Sequence, residues 1–534
     1  MTSLARATVV MTAGTILSRV TGLLRLAAIA AALGVVESGR LADTYNIGNT
    51  APNIIYELVL GGVLTSVFVP VFVDLLEKEG RDRAWQVASA IINLSLVVLV
   101  AIATLGVVLA PLIARFYAVR LEGAEAVQQV EVLSFLLRLF IPQIVFYGLT
   151  AVTAGLLNAH KRFGAPMYTP ILNNLAVIGV FVAFHQAYGE IDDLGAVTTT
   201  QLLIIGLGTT AGVALMALAQ IPFLRGLGTY RATLSINHPS LRKLARLSVF
   251  VIGYVVTNQI GYLIVQWLAN EQTGGYTAYV AAFTFFMLPH GLFAVSVITA
   301  LLPGMSADAS NGRWDSFRDR VSTGVRTTIL LVLPAAVGYL VLGEPVVRLL
   351  LERGVMTARS TELVAGVLRF FVLGLVPFSI FQLFLRTFYA LQDTKTPFQI
   401  NVVAVVFNTI INVPLFLWLG VKGLALGHAC AYTLGVALQT RALRKRLDAL
   451  DGRRLARSVV RIAVAAVVMG ALVWAASEGL QEAIAPETFG EQAVALLAPA
   501  LVGVVTYLAV AAALGVEELS LVKRLVGRRG PNQG

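Results

Sequence analysis

The sequence predicts an all-α integral membrane protein of about fourteen transmembrane helices, on three observations. The 534 residues are 57% hydrophobic and only 13% charged, about half the charged share of a soluble domain. Apolar runs long enough to cross roughly 30 Å of hydrocarbon recur from end to end. Lys and Arg gather in alternate connections between those runs, as topology signals do.

The runs, numbered here as spans 1 to 14, lie near 7–35, 41–76, 84–116, 128–158, 162–186, 195–224, 240–269, 275–305, 318–343, 361–391, 397–419, 422–443, 455–477 and 489–516. Backbone amides in lipid need internal partners, so each run reads as helix. None alternates like a barrel strand. Several exceed the minimum of roughly 20 residues, which predicts tilt or extension beyond the bilayer. The first, Ala7 to Val35, contains Arg19 and Arg25 and is too long for a signal peptide, so it is expected to remain as span 1. Cys430 is the only cysteine; it excludes an intramolecular disulfide and reads as an inert, buried thiol.

The connection after span 12 carries Arg441, Arg444, Lys445, Arg446, Arg453, Arg454 and Arg457. Opposing connections are acidic: Glu190, Asp192 and Asp193 after span 5, and Glu478, Glu482, Glu487 and Glu491 after span 13. Both termini are therefore predicted to be cytoplasmic, in a bacterial inner membrane. The net charge of +11 is distributed for topology and for contact with anionic lipid heads, and no nucleic acid is expected as a partner.

An internal repeat recurs at an offset of about 230 residues. Val63–Pro70 aligns with Ser296–Pro303, and Leu157–Pro166 with Phe388–Pro397. Six spans per repeat is an even number, so both halves share one orientation and should relate by an axis along the membrane normal, with the substrate held between them. The expected organisation is 1–225 (spans 1–6), 226–446 (spans 7–12), an added pair over 447–516, and a basic tail at 517–534.

Polar residues inside the spans carry the functional reading. Arg19 and Arg25 are about 9 Å apart along span 1 and roughly 120° from alignment. Arg19 either snorkels to the interface or faces a cavity; Arg25 is deeper. A guanidinium is the natural partner of a phosphate. Span 2 supplies Asp43, Asn46, Asn49, Asn53 and Glu57, the last four on one helical face. Such a stripe either binds neighbouring helices or lines a water-filled cavity. A carboxylate as deep as Glu57 wants a cation, and Arg25 is the expected partner. Pro52, Gly48, Gly61 and Gly62 predict a bend. In the second half Asn258, Gln259, Thr284, His290 and Arg386 are candidates; His290 is either a hydrogen-bonded structural histidine or a proton carrier. Asn408 and Asn412, one turn apart, are weak candidates for a small cation. Arg138 and Arg369 occupy matching places in the two repeats. There is no Gly-Lys-Ser/Thr phosphate loop, no metal-ligand cluster, and no connection long enough for a soluble catalytic domain. An enzyme is not expected.

At these residues the chain resembles the MurJ (MviN) family of lipid II flippases, in the MOP exporter superfamily. The resemblance rests on Ser18-Arg19, Gly22, Arg25, Asp43, Pro52-Asn53, Phe68-Val69-Pro70, Leu157-Asn158, Arg162-Phe163, Pro166, Pro170, Leu302-Pro303, Ser306, Phe388-Tyr389-Ala390, Asp393 and Lys395-Thr396-Pro397. It implies two six-helix lobes related by a pseudo-two-fold, plus an added pair whose groove holds the polyprenyl tail. The implied substrate is undecaprenyl-pyrophosphate bearing the peptidoglycan precursor, moved to the outer leaflet by alternating access, with Arg19 and Arg25 at the family's cavity-arginine positions in helix 1 and Asp43, a candidate substrate contact, at an acidic position at the start of helix 2. The chain departs where many relatives carry arginines in helices 2 and 8; here stand Tyr56 and Thr284, both also candidate substrate contacts. The frequent Glu-Gly of helix 2 is Gly61-Gly62, and the sodium-site acid of some relatives has no counterpart. No cofactor is expected, and the drive would come from membrane potential, Na+ or H+. Other readings are a flippase for another polyprenyl-linked glycan, a drug/cation antiporter, or a non-transporting scaffold that recruits cell-wall synthesis proteins through basic loops at 441–461.

Overall fold

A computed structural model describes residues 3–57, 69–233, 239–447 and 452–519, and among these there is no strand. Gly61, Gly62, most of the 63–70 motif and the end of the basic tail lie outside the described residues, as does the Arg453 side chain. Eighteen α-helices follow in order: α1 (Ser3–Leu33), α2 (Leu41–Tyr56), α3 (Val69–Lys78), α4 (Arg81–Ala118), α5 (Gly123–Phe140), α6 (Gln143–Ala159), α7 (Gly164–Tyr188), α8 (Thr199–Leu218), α9 (Pro239–Ala269), α10 (Gly275–Pro289), α11 (Val295–Ser310), α12 (Trp314–Leu351), α13 (Ala358–Val372), α14 (Leu375–Ala390), α15 (Lys395–Leu419), α16 (Val421–Leu447), α17 (Gly452–Ile484) and α18 (Phe489–Ala513).

Among the described residues eleven helical segments are long and apolar enough to cross a membrane, or twelve when α13 and α14, bent by 50°, count as one. The remaining two sequence spans, 41–76 and 240–269, fall on stretches that are only partly described. Span 10 is therefore broken, at the short turn before Leu375, and span 8 carries a π turn over His290–Ala294 just after Pro289. Pro377, in the first turn of α14, offers no N–H to the Leu373 carbonyl, which is where span 10 breaks.

The chain divides into two compact units, residues 1–277 with 351–360, and residues 278–350 with 361–534. In the first, α1 packs along α7 through small residues: a Cβ at Gly14 would meet that of Met167 at 2.9 Å. Lipid supplies no hydrophobic drive between helices, so close backbone approach must supply the contact. Tyr45 anchors this core, edge-on to Phe140 at 5.6 Å and Phe181 at 5.1 Å. In the second, the added pair α17–α18 joins the α12 core through Ile462, Met469, Val473 and Tyr507, and the Tyr507 hydroxyl donates to the Leu330 carbonyl at 2.7 Å.

The sequence repeat reappears in the backbone. Lys161 and Gln392 are two of only three described non-glycine residues with positive φ, at 59° and 56°. Around them Arg162 N–H donates to the Leu157 carbonyl at 2.8 Å, and Asp393 N–H to Phe388 at 2.9 Å. The same helix-ending turn thus recurs one repeat apart, followed by helices α7 and α15 of 25 residues each.

Candidate functional site

The polar residues of the first unit form two groups along α1 and α2. The first lies where these helices meet the 34–40 turn. Asp43 is completely buried. One carboxylate oxygen accepts the Gly274 N–H at 2.7 Å; the other accepts the Thr277 N–H at 2.8 Å and its hydroxyl at 2.7 Å. Asp43 is therefore the N-terminal cap of α10, supplied from another helix. Negative charge belongs at that end of a helix dipole, and two otherwise orphaned amides are satisfied. Both oxygens are spent on this task, so Asp43 presents none to a substrate in this conformation.

Buried Arg40 stands one turn before it. It donates to the Asn270 carbonyl at 2.6 Å and meets the Glu125 carboxylate at 3.0 Å. The Asn270 side chain exchanges hydrogen bonds with Gln129 and donates to the Tyr117 carbonyl; Tyr117 in turn donates to Gln266 at 2.6 Å. Asn46 donates to Thr277 at 3.1 Å. Sequence reasoning found Asp43 and Asn46 but missed Arg40, Gln129 and Asn270. The available signal was a cation three residues before an acid at the start of span 2.

The second group lies deeper. Arg25 is half-buried on the face of α1 that also carries Ser18 and Thr21, where Asn174 of α7 donates to the Ser18 carbonyl and to Thr21. Arg19, about 120° round the helix, is exposed. Asn49 and Glu57 are half-buried and Asn53 exposed, so the lower part of the α2 stripe stays open. Tyr56, at a family arginine position, is buried with its ring 6.0 Å from that of Tyr147.

The expected Arg25–Glu57 pair is not formed; no ion pair involves either residue among those described. The helices run antiparallel from the 34–40 turn, so depth counts in opposite directions along the sequence. At 1.5 Å per residue Arg25 lies about 12 Å from that end of α1, and Glu57 about 24 Å along α2. Arg19, at about 21 Å, is the arginine at the level of Glu57.

In the second unit the candidates are mostly engaged by their own surroundings. His290 is buried, with Nδ1 3.0 Å from the Ser379 hydroxyl and its ring 4.7 Å from Phe378, which fits the structural-histidine alternative. Thr284 donates back to the Val280 carbonyl. Asn408 and Asn412 exchange reciprocal amide hydrogen bonds at 3.3 and 3.1 Å, so their oxygens serve each other. Among the described residues no cluster of three or more His, Cys, Asp or Glu could hold a metal. Arg369 pairs with Glu344 at 3.2 Å, while Arg138 is exposed. In the first unit, Asn258 donates to its own helix at Tyr254 and Gln259 is half-buried.

Residues 29–494 match the family model for lipid II flippase MurJ. The chain belongs to the MurJ family. It is 27% identical over 526 residues to a probable lipid II flippase MurJ of Rhizobium tropici, covering 96% of this chain and 95% of that one. It is 29% identical over 475 residues to the Haemophilus influenzae protein of the same description, covering 86% and 90%. Among solved structures it is similar to a lipid II flippase MurJ in an inward closed conformation, with a TM-score of 0.76 at 22% identity over 97% of this chain and all of that one. It is also similar to an inward-facing multidrug-resistance MATE transporter of the MOP superfamily, with a TM-score of 0.65 at 13% identity over 83% and 99%. The MurJ fold is thus shared along nearly the whole chain. The likeness to the MATE transporter is one of fold, over 83% of this chain.

Proposed function

We propose that this MurJ-family chain carries lipid II from the cytoplasmic to the outer leaflet of the bacterial inner membrane by alternating access, with both termini cytoplasmic. It acts as a transporter and performs no catalysis. The observation that supports this most directly is Arg25: a permanently charged guanidinium, half-buried about 12 Å inside a membrane helix and without a carboxylate partner among the described residues. Such a group is costly unless an anion completes it, and a pyrophosphate supplies bidentate acceptors. Arg19, six residues nearer the cytoplasmic end of α1 and on another face, offers the second contact as the headgroup moves. The half-open stripe of Asn49, Asn53 and Glu57 gives the sugars hydrogen-bonding partners, while the prenyl tail stays in lipid.

No ATP-binding loop is present in the sequence, so the drive is external. An inside-negative potential favours outward movement of an anion by about 2.3 kcal/mol per charge per 100 mV. The test is complementation of a flippase-depleted cell. Arg25→Ala is expected to abolish growth and outer-leaflet lipid II while the protein still inserts; Arg25→Lys retains charge but loses the fork and recovers partly. Normal growth of the Ala variant at equal expression would sink the proposal.

One observation favours a second reading, ion-coupled antiport: Glu57 is a half-buried acid without an ion pair among the described residues. Glu57→Gln should leave lipid II export intact under the first reading and stop proton- or sodium-coupled dye efflux under the second.

A further inference from the structure

The basic end of α16 contains a site that the transport reading does not use. An open hollow of about 450 Å³ is lined by Ala437, Thr440, Arg441, Arg444 and Lys445. These positions recur at i, i+3, i+4, i+7 and i+8, one face of the helix. Neighbouring Arg446 is tied to Asp393 at 2.7 Å, but the three lining cations have no carboxylate partner among the described residues.

Elsewhere in this unit several cations are held by carboxylates. Arg313 and Arg320 grip Asp308, Arg348 and Arg369 share Glu344, and Arg326 meets Glu518. Three like charges within one turn repel one another. An anion seated among them removes that cost.

The level of the hollow identifies the anion's carrier. Helix α15 runs antiparallel to α16, with the Ala404 Cβ 3.9 Å from the position a Gly435 Cβ would take. Val403 and Val406 on α15 are 49% and 51% exposed, as side chains facing acyl chains are, at the level of about residues 433–436 of α16. Arg441 begins roughly 7.5 Å beyond that level and Lys445 about 13.5 Å beyond it, at 1.5 Å per residue. Ala437 and Thr440 lie between. The hollow therefore runs from an apolar floor at the hydrocarbon edge to a cationic rim, the profile of a phosphate joined to acyl chains. A soluble protein or nucleic acid would meet the rim alone.

We infer that Arg441, Arg444 and Lys445 form a binding site for the phosphate of an anionic glycerophospholipid in the leaflet facing the α16 C-terminus. This site is separate from the Arg25 region. It does not depend on what the transporter carries.

The experiment uses the full-length protein purified in zwitterionic detergent. Retention of phosphatidylglycerol is counted by native mass spectrometry against phosphatidylcholine of the same chains. Attraction to anionic lipid contributes about a factor of five per Lys or Arg, so R441Q/R444Q/K445Q is expected to weaken phosphatidylglycerol binding about 100-fold. The charge-matched K161Q/R225Q/R231Q variant, altered in the first unit, is expected to leave it unchanged. Should the α16 triple variant fail to fold, the three single variants are each expected to weaken binding about five-fold. Equal retention by wild type and the α16 variants would overturn the site. Equal loss in the control variant would overturn it in favour of net charge. Displacement of phosphatidylglycerol by millimolar inorganic phosphate or glycerol 3-phosphate would overturn the lipid in favour of a free phosphate. Lipid II export by the α16 variant is read separately, so failure of this site and failure of the flippase reading remain distinguishable.

Discussion

Removing the Asp43 carboxylate should release two particular amides, and this can be read directly. In Asp43→Ala the N–H groups of Gly274 and Thr277 lose acceptors now at 2.7 and 2.8 Å, inside a site that admits no water to Asp43. Hydrogen bonds to a charged acceptor contribute about 1.5–3 kcal/mol each. Local opening governs exchange, so protection at each amide is expected to fall roughly 10- to 150-fold. The Gly275 N–H is the internal control. It sits between the two but donates to the Gln272 carbonyl at 2.8 Å, so its rate should hold. The assay is hydrogen–deuterium exchange with residue-resolved fragmentation, in detergent at neutral pH. Unchanged exchange at 274 and 277 would refute the cap, and equal acceleration at 275 would show general loosening instead. Growth on the same variant then asks whether transport needs the cap.

Three further outcomes follow from the same contacts. Burial pushes the Glu37 carboxyl up, but bonds from Thr357, Ser360 and Val35 outweigh it and leave its pKa below the ordinary value. A depressed carboxylate contributes stability that is present above its unfolded pKa, about 4.3, and is lost as pH falls through the folded one. Glu37→Gln should lower the melting temperature at pH 7 and flatten its decline below about pH 4.3, measured by thermal unfolding. Glu518→Gln leaves Arg326, 3% exposed and 2.9 Å from the carboxylate, buried without its main partner; the expected loss is roughly 3–5 kcal/mol by denaturant titration, largely recovered in Arg326→Met/Glu518→Met. Gly354→Ala should destabilise sharply, because φ is +62° and the new Cβ would collide with the Ala31 carbonyl that now accepts the Val355 N–H; reduced yield of folded protein on size exclusion reads this.

What could be read from sequence was whatever depends on one helix at a time. Apolar length located the spans, and the insertion cost of a guanidinium singled out Arg25. Turn chemistry located the recurring Leu157 and Phe388 turns. What could not be read was pairing between helices. The proposed Arg25–Glu57 pair went wrong because residue types were matched without counting depth from the shared turn. Glu37 went unnoticed because a carboxylate in a turn is ordinary until its partners, Thr357 and Ser360, arrive from more than 300 positions away. The 50° bend before Leu375 was announced by Pro377, whose missing N–H leaves the Leu373 carbonyl unpaired, and by Gly374, whose Cβ would strike the Ala429 backbone at 2.7 Å; neither signal was read, because the apolar run continues through both.

One feature of the cap joins the sequence repeat to its chemistry. The bonds from Arg40 to Asn270 and from Gly274 to Asp43 span 230 and 231 positions, close to the interval at which the sequence repeats. Positions one repeat interval apart therefore touch each other here, inside the first unit. Strict symmetry would place an acid at both, and two carboxylates in one buried site cannot both stay ionised without a large cost. The chain avoids that conflict by keeping the acid in one half and glycine in the other. Gly274 has φ of +72°, and any Cβ there would lie 2.6 Å from Val36; it offers its N–H where its counterpart offers a carboxylate. Arg40 follows the same rule, meeting the backbone carbonyl of Asn270 where an arginine would repel it. The repeat is broken at the contact where equivalent charges would collide, and that break is what turns two similar helix starts into a donor and an acceptor.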